Sequence, residues 1–323
     1  MELSHCRLHG AAMGQQIHNH SEMTEKTNAI KDYLWRKKMY LMGRFFPKKL
    51  AEYKYRSCFG KSLNWDNPQT IDEKINWAKF NTDTTAWSQL ADKYAVRKFV
   101  EQRGFKDALV TLYGKWEHVE DIDWDSLPDS FVMKMNNGSG DVMICRDKST
   151  FDIAGCKRHF AALMKKKFGY EMSEPHYNRI KPCIIAEELL DSTTQSLPST
   201  SMIDYKFFAF DGKPAYVLVC LNRSGHSVEL AVYDMDWHLH PEFSVPTSDC
   251  IIHTEPMPQP KAFGRMADMA AKLSEGFPFV RVDLYETGGK PYFGEMTFTP
   301  AGGFLHRYTE EFRRILGDKY KIK

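Results

Sequence analysis

Apolar residues along the chain recur with two spacings, and each spacing predicts its own kind of element. Alternating or continuous apolar runs predict strands at "DALVTLYGKW", "SFVMKM", "DVMICRD", "PCIIAEELLD", "DYKFFAFDG", "KPAYVLVCLNR" and "VELAVYD". The run "FVRVDLYETGGKPYFGEMTF" predicts a β-hairpin with Gly288 and Gly289 at its turn. Helical spacing marks "WSQLADKYAVRKFVEQRG", residues 151–169, residues 261–275 and "TEEFRRIL". This order lacks the βαβ alternation of a doubly wound sheet, so the predicted fold class is α+β with antiparallel hairpins.

The first third of the chain is predicted to be helical after a disordered start. Thr70 is a candidate N-cap, with Glu73 at the capping-box position, and Pro47 separates two short helices. The first residues have neither an apolar core nor a cleavage pattern, which indicates a disordered tail rather than a signal peptide. We divide the chain into a tail (1–28), a basic, aromatic-rich helical region (29–105) and two lobes (106–186 and 187–323).

Composition excludes several classes of protein. No uncharged apolar run approaches the roughly 20 residues of a membrane span. A net charge of +2 argues against a chain that binds nucleic acid with its whole surface. Seven cysteines occur singly, without a CxxC pair, which fits reduced thiols in a cytoplasmic protein. We therefore expect a cytoplasmic location, either free or at the inner face of the cell membrane.

Residues 33–59 are dense in Lys, Arg, Tyr, Trp and Phe and have few acids. Such a composition suits an anionic membrane surface or nucleic acid. The alternative is a helical collar whose aromatic side chains pack on the main body. The imperfect helical spacing of the apolar residues favours packing, and peripheral membrane contact remains the other interpretation.

The segment "FVMKMNNGSGDVMI" places a lysine in an apolar strand directly before a loop of small residues. Lys134, with the backbone of Asn137, Gly138, Ser139 and Gly140, offers donors for phosphate oxygens. The loop is not followed by GKS or GKT and is not GxGxxG, so it is neither a Walker loop nor a dinucleotide fingerprint. The alternative is an ordinary hairpin turn preceded by a solvent-facing lysine.

Charged residues also share one face of the predicted final hairpin. Alternation places Arg281 and Asp283 on one face of the first strand, and Glu295 and Thr297 on one face of the second. A short hairpin brings Asp283 and Glu295 side by side, where two carboxylates repel unless a cation lies between them. An oxygen-only pair selects Mg²⁺ or Mn²⁺. The alternative is a solvent-facing hairpin with incidental charges.

Other charges stand among apolar residues in the same way. Lys93 and Lys206 repeat the pattern of a cation in an apolar run, and "IIAEELLD" ends a buried strand with acids. Glu187 at that hinge would accept a hydrogen bond from the amine of adenine. Lysines, glycine loop, acidic hinge and carboxylate pair together describe a cleft for Mg-ATP.

The order of these pieces resembles the ATP-grasp superfamily, and in particular its TupA-like branch, associated with teichuronopeptide and capsule-type polysaccharide synthesis. The resemblance covers roughly residues 64–310. It is carried by "NPQTIDEKINW", "LADKYAVRKFV", "LPDSFVMKMNNGSGDVMI", "IIAEELLD", "DYKFFAFDGKP" and "VRVDLYETGGKPYFGEMTFTPAGG". It implies an ATP-grasp fold, in which two α+β lobes clamp ATP behind a helical N-terminal region.

The resemblance also implies roles for individual residues. Lys93 and Lys134 contact the phosphates, and the loop of residues 136–141 folds over them. Adenine is gripped by Glu187, Glu188 and Leu190, the metal by Asp283 and Glu295, and Arg281 and Lys206 act on the transferred phosphoryl group. Most members end with Glu-x-Asn, whereas here Thr297 stands in the place of Asn. Because a hydroxyl is a poorer Mg²⁺ ligand than an amide oxygen, one metal site is expected to be weaker.

The function that follows is an ATP-dependent carboxylate–amine ligase that works through an acyl phosphate. The expected substrates are an amino-acid-like amine and a sugar acid or carboxylate-bearing glycan precursor, with ATP and Mg²⁺ or Mn²⁺ as cofactors. Two rivals are a small-molecule or sugar kinase with the same cleft, and a scaffold without turnover. The remaining alternative is a polysaccharide-synthesis protein of the glycosyltransferase class, and the Asp-x-Asp triplets at 121–123, 123–125 and 234–236 are too short a pattern to establish a sugar-nucleotide site.

Overall fold

The structure is a computed structural model that describes residues 31, 33–140, 142–225 and 227–322. The predicted tail of residues 1–28 and Asp141 of the glycine loop lie outside these residues. In the described part of the chain, no helix is long and apolar enough to cross a membrane.

Helices form the N-terminal region, as predicted. They are α1 (33–45), α2 (Pro47–Phe59), α3 (Ile71–Asn81), α4 (Thr85–Leu90) and α5 (Val96–Gln102). The break before Pro47 is confirmed, because proline lacks the N–H that a continuing helix needs. The capping box of α3 is confirmed too: the Thr70 hydroxyl accepts from the Glu73 amide, and the Glu73 carboxylate accepts from the Thr70 amide.

One predicted helix is wrong, because "WSQLADKYAVRKFVEQRG" is interrupted between α4 and α5. Asp92 Oδ1 accepts from the backbone N–H groups of Tyr94 (2.9 Å) and Ala95 (3.1 Å). Aspartate favours such local turns over a helix interior, since its side chain competes for backbone donors. The turn brings the Lys93 amide to Asn136 O at 3.0 Å, next to the glycine loop.

The first sheet has four antiparallel strands in the order β1-β4-β2-β3. These are β1 (Leu112–Trp116), β2 (Phe131–Met135), β3 (Val142–Cys145) and β4 (Ile184–Glu187). Helix α6 (Ile153–Leu163) packs against it through Cys156 and Phe160. Two predicted bounds are too wide: α6 ends before the lysines at 165–167, and β1 begins only at Leu112, after a short 3₁₀ turn at Lys106–Ala108.

The second sheet has six strands in the order β10-β9-β5-β6-β7-β8, antiparallel except for the parallel pair β7 and β8. They are β5 (Asp204–Phe210), β6 (Lys213–Ser224), β7 (Ser227–Asp234), β8 (Cys250–Ile252), β9 (Val280–Thr287) and β10 (Lys290–Thr297). Helices α7 (Phe263–Ser274) and α8 (Glu310–Lys319) complete the chain. Each sheet contributes to its own apolar core. The architecture is therefore α+β, as predicted, and the proposed lobe boundary after residue 186 falls just before the last residue of β4.

Candidate functional site

The final hairpin has the predicted register. Asp283 and Glu295 are direct cross-strand partners, and Arg281 faces Thr297. A bulge at Gly294 shifts the register by one residue, and a Cβ at this position would lie 2.9 Å from the Asp283 carbonyl oxygen. Glycine is therefore required where the two strands approach closely.

Protein cations hold the two carboxylates. The Arg281 guanidinium binds both oxygens of Asp283 at 2.7 Å and reaches Glu295 Oε1 at 3.4 Å. Lys206, which pairs with Asp283 in register on β5, places Nζ 2.6 Å from Asp283 Oδ2. The expectation that the pair needs a divalent cation to relieve repulsion is thus wrong in its reasoning, since Arg281 and Lys206 already supply the positive charge. We call Lys206, Arg281, Asp283 and Glu295 the cleft cluster.

Burial and neighbouring charges shift the pKa values of the cleft cluster in different directions. Burial raises the pKa of Asp283, although Arg281 and Lys206 oppose this effect. Burial alone would raise the pKa of Glu295, but Lys93, Lys206 and Arg281 lower it well below its ordinary value. Burial lowers the pKa of Lys206, and the carboxylates of Asp204 and Asp283 more than offset this, so its pKa is raised. The ionic forms of Glu295 and Lys206 are therefore favoured, so a ligand that enters the cleft meets these two charged side chains.

Lys93 joins the glycine loop of the first sheet to the hairpin of the second. Its Nζ donates to Gly138 O at 2.5 Å and lies 3.3 Å from Glu295 Oε2. The buried Asn136 fixes the loop's start, because its side chain accepts from the Cys183 amide at 2.8 Å and donates to the Lys181 carbonyl at 3.0 Å. The loop is therefore anchored at its first residue, and it is exposed at Ser139 and Gly140, where Gly140 has φ +81°.

The structure also gives Lys134 a partner. Its Nζ lies 2.5 Å from Glu187 Oε2, and Arg97 Nη1 holds the other Glu187 oxygen at 2.9 Å. Lys134 therefore already has an anionic partner, and the Glu187 carboxylate already has two donors. Among the other adenine candidates, Glu188 accepts from the Thr111 hydroxyl at 2.7 Å and Leu190 is half-buried. Contact of these residues with nucleotide stays a prediction.

A loop that the sequence analysis did not single out closes one side of the site. Ala301, Gly302 and Gly303 have φ of 50°, 66° and 83°, three successive left-handed residues. Lys79 Nζ donates to the Gly302 carbonyl at 2.5 Å, and Asn76 Nδ2 donates to the Gly303 carbonyl at 2.7 Å. These buried donors hold a backbone conformation that costs energy for any residue except glycine.

A buried acid completes this second group. Glu174 accepts from the Thr299 hydroxyl at 2.5 Å. Burial raises the pKa of Glu174 to about 7 and lowers the pKa of Lys79 to about 7. We call Asn76, Lys79, Glu174 and Thr299 the support cluster. Its sequence signal was the spacing of Asp72, Asn76 and Lys79, which places three polar residues on one face of α3.

The cleft cluster opens into a cavity of about 380 Å³. Apolar residues of β5, β6 and β7 form one part of the lining, and Pro300 and Ala301 form another. Besides Lys206 and Arg281, the lining contains two cations that the sequence analysis did not identify, Arg223 and Arg307. Arg223 Nη2 lies 3.2 Å from Asp204, Arg307 Nη2 lies 2.6 Å from Asp249, and Ser139 of the glycine loop reaches the same cavity. The cavity thus places anion-binding groups beside an apolar surface.

The residues present fit a magnesium ion. Asp283, Glu295 and Thr297 offer only oxygen atoms, which are the donors that Mg²⁺ prefers. The Thr297 hydroxyl lies 2.9 Å from Glu295 Oε1, so the predicted third group is next to the carboxylate pair. Binding would require Arg281 and Lys206 to give up part of their hold on the carboxylates.

Comparison with known proteins gives a family and distant structural likenesses. The family described as "TupA-like ATPgrasp" matches residues 73–321. A D-alanine–D-alanine ligase from Bacillus anthracis complexed with ATP has 16% identity and a TM-score of 0.41, over 72% of this chain and 65% of that one. The corresponding Helicobacter pylori ligase has 10% identity and a TM-score of 0.39, over 79% and 70%.

The ATP-grasp ligase PsnB, complexed with minimal precursor, has 11% identity and a TM-score of 0.37, over 80% of this chain and 66% of that one. The chain therefore spans 60–66% of the length of the first three matched structures. No curated protein sequence matches the chain at a significant level.

Proposed function

The chain belongs to the TupA-like ATP-grasp family, and from this premise we propose that it is an ATP-dependent ligase that joins a carboxylate to an amine. One observation carries the proposal: Lys206, Arg281 and Glu295 of the cleft cluster line one cavity together with Ser139 of the glycine loop. Donors for phosphate and space for a second substrate therefore meet at the same residues.

The reaction begins when an oxygen of the substrate carboxylate attacks the terminal phosphorus of ATP. The bond from that phosphorus to the bridging oxygen breaks, ADP leaves, and an acyl phosphate forms. Lys206 and Arg281 are half-buried cations that line the cavity, where they offset the charge on the transferring group. Lys93, which donates to the glycine loop, and Lys134, which precedes the loop on β2, hold the phosphates that remain on ADP.

An amine then attacks the acyl carbon, inorganic phosphate leaves, and the amine proton passes to solvent or to the departing phosphate. Arg281 stabilises the oxyanion of the tetrahedral intermediate, because its guanidinium lines the cavity where that oxygen forms. Asp283 and Glu295, with Thr297, would hold Mg²⁺, which supplies further positive charge to the phosphates when bound.

The cavity also indicates the class of acceptor. Arg223 and Arg307 add two cations beyond those that the phosphoryl transfer uses, and Arg307 Nε is buried without a hydrogen-bond partner. A buried guanidinium N–H without an acceptor is costly, so it marks a place for a ligand oxygen. We therefore propose an acceptor with a second anionic group, which a carboxylate-bearing glycan precursor in cell-surface polysaccharide synthesis provides.

A panel of carboxylates and amines, incubated with Mg-ATP and assayed for both ADP and phosphate, tests the proposal. We expect equimolar ADP and phosphate only when both substrates are present. Acceptors with two anionic groups should exceed their mono-anionic counterparts in kcat/KM by at least about tenfold, as expected for one lost charge-assisted contact.

Two results would count against the proposal. ADP without free phosphate, with a hydroxyl compound as the only requirement, would show a kinase. Binding of Mg-ATP without any turnover across the panel would favour a scaffold. Glu295→Gln is the inactive control, and Ile251→Ser, an exposed position on β8 away from the cavity lining, is the active one.

A further inference from the structure

Helix α1 is fixed to the body of the protein by one face. A Cβ at Gly43 would lie 1.8 Å from the Tyr170 carbonyl oxygen, so only glycine permits this approach. Met39 on the same face is buried, and Tyr40 packs edge-on against the Tyr170 ring at 5.1 Å. The Ser173 hydroxyl donates to the Pro47 carbonyl at 2.6 Å, just after the helix ends. These contacts determine which side of α1 points outward.

The outward side is apolar. Leu34, Leu41 and Phe45 are separated by seven and four residues, a spacing that aligns them along one stripe of a helix. Their exposed fractions are 57%, 43% and 61%. The stripe lies opposite Met39 and Gly43, because a residue two positions away is turned by about 200°. The interpretation that the aromatic residues of 33–59 all pack on the body is therefore only partly right.

Positive charge surrounds the stripe. Residues 33–59 contain eight Lys or Arg and one acid, Glu52. Lys37, Lys38 and Arg44 are exposed and flank the stripe on both sides, at helical angles of about 40–80° from it. Phe46, which directly follows α1, is also exposed, with 57% of its surface accessible. An amphipathic helix with this pattern combines the two attractions that hold a protein at an anionic bilayer.

We propose that α1 docks this outward face on the surface of a membrane that contains anionic lipids. The charge selects the occupant: two copies of such a strongly basic face would repel each other, and Leu34 and Leu41 cannot stack on nucleic-acid bases as aromatic side chains do. The leucines and Phe45 enter the interfacial layer, and the basic residues meet the lipid headgroups. This inference does not depend on the reaction that the protein catalyses.

Flotation with lipid vesicles tests the proposal on the full chain. We expect binding to phosphatidylcholine vesicles with about 30% phosphatidylglycerol, little binding to pure phosphatidylcholine, and a steep fall as salt rises. The charge variant Lys37→Gln/Lys38→Gln/Arg44→Gln should bind at least about tenfold less, since it removes three charges that attract the anionic headgroups. The apolar variant Leu41→Ser/Phe45→Ser should lose about as much.

Matched controls keep the result specific. Ile144→Ser/Ile251→Ser removes two apolar side chains of nearly equal exposure, 49% and 60%, from other surfaces. Lys106→Gln/Arg158→Gln/Lys272→Gln removes three charges from exposed positions elsewhere. Both should float like the wild type, and all variants should keep its thermal unfolding midpoint, because every changed side chain is exposed.

Several results would overturn the proposal. They are equal binding to neutral and anionic vesicles, no flotation at all, equal loss in the control variants, and a concentration-dependent dimer that Leu41→Ser/Phe45→Ser abolishes. Salt-sensitive binding to nucleic acid without any binding to vesicles would also overturn it.

Discussion

The cleft cluster and the support cluster both contain buried charged residues, and the loop of residues 300–303 lies between them. Pro300 and Ala301 line the cavity with Arg281, while the Gly302 carbonyl accepts from Lys79 on the other side. Arg281 and Glu295 keep 13% and 28% of their side-chain surface exposed, whereas Lys79 and Glu174 each keep only 4% of their whole surface.

This difference in access decides what each cluster does. Direct ion pairs keep Lys206 and Arg281 charged, so the cleft cluster retains its cations for an incoming anion. Burial moves the pKa values of Lys79 and Glu174 toward each other, so the support cluster acts mainly through hydrogen bonds that hold the loop. A buried charge therefore marks a functional site only where a ligand can reach it.

The largest effect is expected from the carboxylates of the cleft cluster. Asp283→Asn and Glu295→Gln should each lower turnover at least about a thousandfold, because each removes a candidate metal ligand. Asp283→Asn should also lower stability by about 3 kcal/mol, since Arg281 and Lys206 lose their buried partner. ADP release and thermal unfolding measure the two effects, and normal turnover of either variant with Mg²⁺ would exclude the hairpin as the metal site.

The support cluster should reveal itself through pH. The pKa of Glu174 rises from 4.5 to about 7 on folding, so the folded state binds its proton more tightly. This contribution to stability is fully present below pH 4.5 and is lost as pH rises toward about 7, a change of up to about 3 kcal/mol. We expect the free energy of unfolding of the wild type, minus that of Glu174→Gln, to decrease as pH rises through this range. Denaturant unfolding at several pH values measures both. A flat difference would contradict the raised pKa.

Lys134 tests whether one half-buried cation can both stabilise the fold and bind the nucleotide. Lys134→Met should cost about 1 kcal/mol of stability without nucleotide, because Arg97 still pairs with Glu187. The binding free energy for Mg-ATP should weaken by about 2 kcal/mol, which is typical of the loss of one hydrogen bond to a charged group. Thermal shift with and without Mg-ATP separates the effects, with Lys115→Met on β1 as the control. A full wild-type shift in Lys134→Met would make Lys134 purely structural.

The smallest expected effect is a difference in unfolding free energy between alanine substitutions at two glycines with left-handed backbone conformation. A Cβ at Gly303 (φ +83°) would lie 3.0 Å from Asn76 Nδ2, whereas a Cβ at Gly60 (φ +68°) would meet nothing within 4 Å. Gly60→Ala should cost about 1 kcal/mol through backbone strain alone, and Gly303→Ala should cost about 1 kcal/mol more through crowding. Equal unfolding free energies would show that Asn76 moves aside easily.

Local pattern was enough for much of the site. Period-two alternation and the Gly288-Gly289 turn predicted the hairpin that sets Asp283 beside Glu295, and the capping box at Thr70 formed as expected. Such features depend on residues close in sequence, so the sequence alone specifies them. Where the pattern misled, a side chain competed locally, as Asp92 does between α4 and α5.

The sequence by itself determined the α+β class, the hairpin register and which charged residues stand in apolar runs. Only the tertiary structure decided their partners. Lys134 pairs with Glu187, Asn76 reaches Gly303 across 227 positions of sequence, and Arg307 turns into the cavity. The outward face of α1 was likewise set by its contact with Tyr170. The physical reason is that periodicity records which face of an element is apolar, whereas packing between distant elements decides what that face meets.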